Sequence, residues 1–170
     1  MPGQPTPRVS LVLPTVALLE AASRSRGELE RELGLAVPEG WPEFPQTIPF
    51  SLGVLRDKPD EADWWTYLFV DTTAGTLVGS GGLKGPPIDG VAEIGYEIAP
   101  ALRGHGYATE AATLLIDRAA AGGATQIGAH TLAAENPSVG VLRKLGFEIV
   151  GTIDDPDAGA IWHWRRDARP

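Results

Sequence analysis

The apolar positions along this chain change their period several times, and each change marks a structural element. Val9 to Leu13 is a short β-branched and aliphatic run that stops at Pro14, which predicts a first strand. Thr15 then offers a helix cap. From Val16 to Leu33 the apolar positions Val16, Leu19, Ala22, Leu29 and Leu33 recur at near-helical spacing as far as Gly34. Gly27 is the point at which this stretch would divide into two short helices. Residues 38 to 49 interleave Pro38, Pro42, Pro45 and Pro49 with Trp41, Phe44 and Ile48. Prolines resist regular structure, yet the apolar surface is too large for a free linker, so a loop packed over a groove is expected. A helical piece from Phe50 to Leu55 and a charged stretch from Arg56 to Asp63 follow.

Three strands come next: Trp64 to Asp71, Thr76 to Lys84 and Val91 to Ala99. Thr73-Ala74-Gly75 and the segment from Gly85 to Gly90 separate them, and both compositions suit antiparallel turns. The period then becomes helical from Thr109 to Ala121, ending at Gly122-Gly123. Thr125 to Leu132 reads as a strand and Ser138 to Leu145 as a helix. Phe147 to Thr152 and Ala160 to Arg165 close the chain as a pair of strands. No internal repeat is present. The order predicts a mixed α/β fold, one sheet with helices on both faces around one core.

Composition narrows the function. At 170 residues, 43% apolar and 21% charged, the chain has the size and balance of one soluble domain. The expected limits are a flexible N-terminus at residues 1–7, one domain at 8–166 and a tail at 167–170. Fourteen Lys and Arg against 22 Asp and Glu give a formal charge of -8, which disfavours nucleic acid and acidic lipid surfaces as partners. There is no cysteine, so disulfides, thiolate metal sites and an acyl-cysteine route are excluded. No apolar run approaches the roughly 18–20 residues that span a bilayer. The proline-rich start does not read as a secretory signal, and a cytoplasmic location is expected.

The segment from Glu97 to Thr109 leaves a strand and enters a helix through small residues. Gly104, Gly106 and Ala108 keep bulk away from the backbone, and the first N–H groups of a helix have no intrahelical acceptor, so they can bind a pyrophosphate. The helix dipole adds partial positive charge there, and Arg103 and His105 can add charge-assisted contacts. A dinucleotide fingerprint fails at Thr109, and the Lys-Ser/Thr ending of a nucleotide-triphosphatase loop is absent. Taken alone, the segment is equally compatible with a simple glycine-rich turn.

Across one helix and one strand, Arg103-x-x-Gly106-x-Ala108 is followed by Asn136-Pro137-Ser138 and by Val141-Leu142-Arg143-Lys144-Leu145-Gly146-Phe147. With both motifs at this separation, the chain resembles the GNAT superfamily of acyl-CoA-dependent N-acetyltransferases over residues 8 to 166. The branch it is most similar to includes the ribosomal-protein N-terminal acetyltransferases. The resemblance implies a mostly antiparallel, splayed sheet of about seven strands. It implies acetyl-CoA as cosubstrate, with its pyrophosphate on Arg103, Gly104, His105, Gly106, Tyr107, Ala108 and Thr109. The pantetheine arm would then lie along the backbone of Ile98 and Ala99 and beside Asn136 and Ser138. Many members place an acidic tyrosine where this chain has Leu142. Ser138 is the nearest substitute, and its other reading is a helix cap.

An amine acceptor must lose a proton before it attacks a thioester, so a base should face the cleft. Alternation along Val91 to Ala99 puts Glu93, Gly95 and Glu97 on one face, and two carboxylates on a central strand are costly to bury without a partner or a purpose. Glu93 is the first candidate base and Glu97 the second, with an ordinary ion pair as the alternative for each. His130 on the neighbouring strand is a third candidate. A backbone N–H near Ile98 is the expected donor to the developing oxyanion. Trp41 and Phe44 either wall an acceptor pocket or anchor their loop, and the other tryptophans are expected in strands. Asp154, Asp155 and Asp157 with Pro156 and Gly159 read as a hairpin turn, and no metal is expected.

These readings converge on direct transfer of an acetyl group to a small-molecule amine or a peptide N-terminus by a monomer or homodimer. A non-catalytic acyl-CoA-binding module of the same fold is the rival.

Overall fold

Thr15 and Ser25 decide where the first two helices begin. In the computed structural model, which describes residues 6–170, the Thr15 hydroxyl accepts the Leu18 N–H at 3.1 Å and starts α1 (Val16–Arg24). Ser25 does the same for the Glu28 N–H at 3.1 Å and starts α2 (Arg26–Leu33). The division predicted at Gly27 therefore falls two residues earlier, because a serine that can cap is a stronger start signal than a glycine that merely weakens a helix. Of the N-terminus expected to be flexible, residues 1–5 lie outside the described residues.

Helix α3 (Thr47–Asp57) begins three residues before the predicted Phe50. Pro49 is tolerated there because the N–H it lacks would have no acceptor in a first turn. Trp64 and Trp65 are not in a strand: Trp64 ends a 3-10 turn over Pro59–Trp64, and Arg118 stacks over its ring at 4.7 Å.

The strands are β1 (Val9–Val12), β2 (Thr66–Asp71), β3 (Thr76–Leu83), β4 (Val91–Ile98), β5 (Gln126–Leu132), β6 (Glu148–Asp155) and β7 (Gly159–Asp167). They form one seven-stranded sheet in the order β1-β2-β3-β4-β5-β7-β6. The closing strands outrun the predicted ones, and Asp155 accounts for their tight turn by accepting the N–H groups of Asp157 and Ala158, each at 2.8 Å. Beyond β7, Ala168 is still buried and donates its N–H to Thr125 at 2.9 Å. Helix α4 (Tyr107–Ala121) follows β4, and α5 (Pro137–Lys144) follows β5.

The two faces of the sheet bury different sets of residues. Tyr67, Phe69, Ala92, Ile94, Ile98, Ile127 and Ala129 pack with Ala111, Leu115 and Ala119 of α4 and with Val139 and Leu142 of α5. On the opposite face Leu68 and Leu77 pack with Leu18, Leu29, Ile48 and Trp41. This strict alternation follows from the period-two placement of side chains on a strand. It leaves Glu93, Gly95 and Glu97 on the α1–α3 face.

Candidate active site

Strand pairing fails at one place, and that failure makes the cleft. Among the described residues β4 and β5 form the parallel pair, and they pair only at Val91 with Gln126, Ala92 with Ile127 and Glu93 with Gly128. Beyond Glu93 the strands part. The N–H of Ala99 is engaged by Val78 of β3 at 2.9 Å and the carbonyl of Glu93 by Lys84, just past the end of β3, at 3.0 Å. The alternation of an antiparallel ladder then turns the backbone groups of Tyr96 and Ile98 toward the gap. Of the two residues expected to offer backbone groups there, Ile98 does and Ala99 has its N–H committed to β3.

The gap opens into a cavity of about 670 Å³. Gly104 and Gly106 hold φ of 79° and 83°, the left-handed region that favours glycine, and no side chain caps α4. The first intrahelical bond near this end is donated by Glu110 to Gly106 at 3.2 Å. The N–H groups of Tyr107, Ala108 and Thr109 thus have no intrahelical acceptor and border the cavity. Arg103 donates to the Ile98 carbonyl at 3.1 Å and pairs with Glu43. His105 Nδ1 lies 3.1 Å from the Leu102 carbonyl. Two cations escaped the sequence reading. Arg8 braces the loop by donating to the His105 carbonyl at 2.7 Å, and Lys144 lines the cavity wall.

At the other wall, Asn136 caps α5 by accepting the Val139 N–H at 3.1 Å, while its amide donates to Ala134 at 2.9 Å. The cap is therefore Asn136, not Ser138, and the Ser138 side chain is left to line the cavity. Tyr96 lies across from it. Burial pushes the Tyr96 phenol up to about 12 against the opposing effect of Ser138, so it stays protonated at neutral pH. Among the described residues its hydroxyl has no hydrogen-bond partner. Alternation assigned Tyr96 to the face away from Glu97, yet it borders the cleft because β4 has lost its neighbour on that edge.

The two candidate carboxylates meet different fates. Glu93 sits where β4 and β5 still pair, takes an ion pair from Lys84, and lies 2.7 Å from Nδ1 of His130. Burial pushes its carboxyl up, but Lys84 and His130 together hold it below its ordinary range. It lines neither cavity. His130 touches the cleft, but its ring stacks on His163 at 4.4 Å and its Nδ1 is committed to Glu93. Glu97 lies past the point of splaying. Its Oε1 accepts the Ser80 hydroxyl at 3.4 Å, and Ser80 in turn accepts the Trp41 indole N–H at 3.0 Å. Among the described residues its buried Oε2 has no partner. Burial raises the Glu97 carboxyl above its ordinary range, against the opposing effects of the Glu43 and Phe44 backbone and Ser80.

The proline-rich loop is anchored and exposed at once. Trp41 is buried, whereas Phe44 is 50% exposed. Both border a second cavity of about 390 Å³ between the loop, α3 and strands β2 to β4. Among the described residues Phe44, Tyr96 and Glu97 are the three that border both cavities. No group of three His, Asp or Glu side chains that could hold a metal ion occurs among the described residues. No helix there is long and apolar enough to cross a membrane.

The parted sheet thus has a bare helix start on one side of the gap and a half-buried carboxylate on the other. Residues 35–148 match the model of the acetyltransferase (GNAT) domain. An uncharacterized N-acetyltransferase of Bacillus subtilis, YjdG, is 30% identical over 148 residues, covering 84% of this chain and 87% of the relative. Among solved structures, Mycobacterium smegmatis RimJ in complex with CoA-disulfide is similar with a TM-score of 0.69 at 21% identity, over 94% of this chain and 82% of that one. The ribosomal-protein-S5-alanine acetyltransferase from Vibrio fischeri gives 0.69 at 16% identity, over 98% and 96%. The chain belongs to the GNAT family of acetyltransferases and is an acyltransferase.

Proposed function

We propose that this protein transfers an acetyl group from acetyl-CoA directly to an amine, with Glu97 as the base. The observation that carries this reading is the position of Glu97 at the junction of the two cavities, with a buried carboxylate oxygen free to accept a proton. The larger cavity fits the cosubstrate: left-handed glycines, free N–H groups at the start of α4 and the nearby Lys144 suit an anionic, phosphate-bearing ligand. When bound, acetyl-CoA supplies an activated acyl group on a thiol that leaves readily.

Each residue then has a task. The backbone N–H of Ile98, turned into the gap, is the donor to negative charge developing on the acyl oxygen. Glu97, with its pKa raised by burial, takes the proton from the acceptor's ammonium directly or through water. Trp41 and Ser80 hold it by a two-bond relay. The protonated hydroxyl of Tyr96 and the Ser138 side chain beside it supply hydrogen bonding for the departing thiolate. Glu93, through its ion pair with Lys84 and its contact with His130, stiffens the paired part of the sheet.

Calorimetry with acetyl-CoA, followed by thiol release with a mixed panel of amines, tests the reading. Micromolar binding and amine-dependent thiol release are expected. Binding without release across the panel would leave an acyl-CoA-binding module and overturn the proposal.

A further inference from the structure

We infer that the second cavity holds the carbon skeleton of the acceptor, and that the acceptor is a compact monoamine with an apolar, ring-sized body of the 2-phenylethylamine type. This rests on the reading of Glu97 as the base at the junction.

Glycines distinguish built space from incidental space. On β3, a Cβ at Gly79 would lie 2.1 Å from the Glu97 carbonyl oxygen, at Gly81 2.4 Å from that of Gly95, and at Gly82 1.6 Å from that of Trp65. Those three are glycine because the backbone comes too close for anything else. Gly95 on β4 is different. A Cβ there would meet nothing within 4 Å, and its φ is not in the left-handed region, so neither sterics nor conformation demands a glycine. What the missing side chain does is keep the second cavity open.

The cavity's chemistry defines what fills it. Its walls are largely apolar, with Trp41, Phe44, Phe50 and Trp65 set among leucine, isoleucine and hydroxyl side chains, and Phe50 meets Trp65 edge to face at 5.8 Å. Among the described residues Glu97 is the one carboxylate on its lining, and it stands at the mouth. The one other charged lining residue is Lys84, held in place by its ion pair with Glu93. An ammonium at Glu97 is therefore matched, whereas a second ammonium deeper in would meet Lys84, whose charge Glu93 already matches, and no free carboxylate among the described lining residues. That disfavours diamines and polyamines and favours a neutral body. Gly95 and Glu97 are alternate residues on one face, about 6.6 Å apart along the strand. An ammonium hydrogen-bonded to Glu97, a two-carbon link and a ring together cover that interval.

The test compares acetylation of 2-phenylethylamine, ethylamine, spermidine and a serine-initiated tripeptide by the full chain and by Gly95→Leu. The parent is expected to favour 2-phenylethylamine over each of the others by at least about tenfold in kcat/KM, the size of effect a filled apolar pocket gives. Gly95→Leu should collapse its ratio to ethylamine to about one, chiefly through KM, while melting normally and binding acetyl-CoA as the parent does. Should the leucine variant fold poorly, Gly95→Ala should shift the same ratio in the same direction. Quenching of the pocket tryptophans by 2-phenylethylamine in the presence of CoA reads occupancy without turnover. Saturable quenching weakened by Gly95→Leu, with no acetylation of any amine, would support the pocket and defeat the proposed transfer reaction. Preferred acetylation of spermidine or the peptide, or an unchanged ratio in Gly95→Leu, would overturn the pocket assignment and leave the transfer reaction standing.

Discussion

Glu93 and Glu97 are indistinguishable by type and by strand face, yet they differ in what surrounds them. Glu93 is held by an ion pair with Lys84 and a contact with His130, whereas among the described residues the buried Oε2 of Glu97 has no hydrogen-bond partner. Glu97→Gln should lower kcat by about 10²- to 10⁴-fold, the usual contribution of a positioned base, with acetyl-CoA affinity unchanged. The same substitution should stabilise the fold. A carboxyl whose folded pKa is raised loses stability as pH rises through that value, because the folded state holds the proton more tightly than the unfolded chain does. Thermal melts should therefore coincide for parent and Glu97→Gln in acid. They should diverge toward neutral pH, with the variant melting higher. Glu93 has the opposite sign: its folded pKa is lowered, so its contribution is present above the ordinary carboxylate range and lost as pH falls through the folded value. Glu93→Gln should lower the melting temperature at neutral pH and leave kcat within about threefold, below the usual effect of losing a base. The sequence put Glu93 first and Glu97 second, and the proposed role of Glu97 reverses that order, because the rank depends on where β5 leaves β4. Tyr96 was missed for the same reason.

At the level of elements, the turn into α4 and the loop before α3 carry the predictions. Gly106 holds φ of 83°, so Gly106→Val imposes roughly 1–2 kcal/mol of backbone strain on the loop that presents the helix N–H groups. Calorimetry should show acetyl-CoA affinity reduced at least about tenfold. Arg103→Ala removes an exposed ion pair with Glu43, of little value to stability, so its melt should be unchanged while acetyl-CoA affinity falls. Trp41 is buried and donates to Ser80, so Trp41→Ala should cost about 3–5 kcal/mol in denaturant unfolding. Most elements were legible because their apolar residues keep period and Thr15 and Gly34 mark helix ends, whereas the caps at Ser25 and Asn136 were not read as such. The misread ones share a cause. Trp64 and Trp65 have strand-forming side chains, but Pro59 and the acidic residues behind it start a 3-10 turn that runs into them, with Trp64 held under Arg118.

Across the whole molecule, one broken ladder between β4 and β5 connects fold to chemistry. It bares the backbone of Tyr96 and Ile98, opens the larger cavity to the start of α4, and leaves Glu97 between that cavity and the smaller one. The paired motifs in the sequence implied a splayed sheet, and a groove under the proline-rich loop was expected, whereas the rest of the second cavity's lining was not legible. It is assembled from residues far apart in the chain, Trp41, Phe50, Trp65 and Gly95, whose common purpose appears only when α3 lies across β2 to β4. The measurement that tests the account most directly is the pH dependence of kcat/KM for amine acetylation by the parent and by Glu97→Gln, from weakly acidic to alkaline pH. The account predicts a parent rate that rises with pH through the raised pKa of Glu97, and a variant that is slower throughout and lacks that limb. A Glu97→Gln enzyme with the parent's rate and the parent's profile would contradict it.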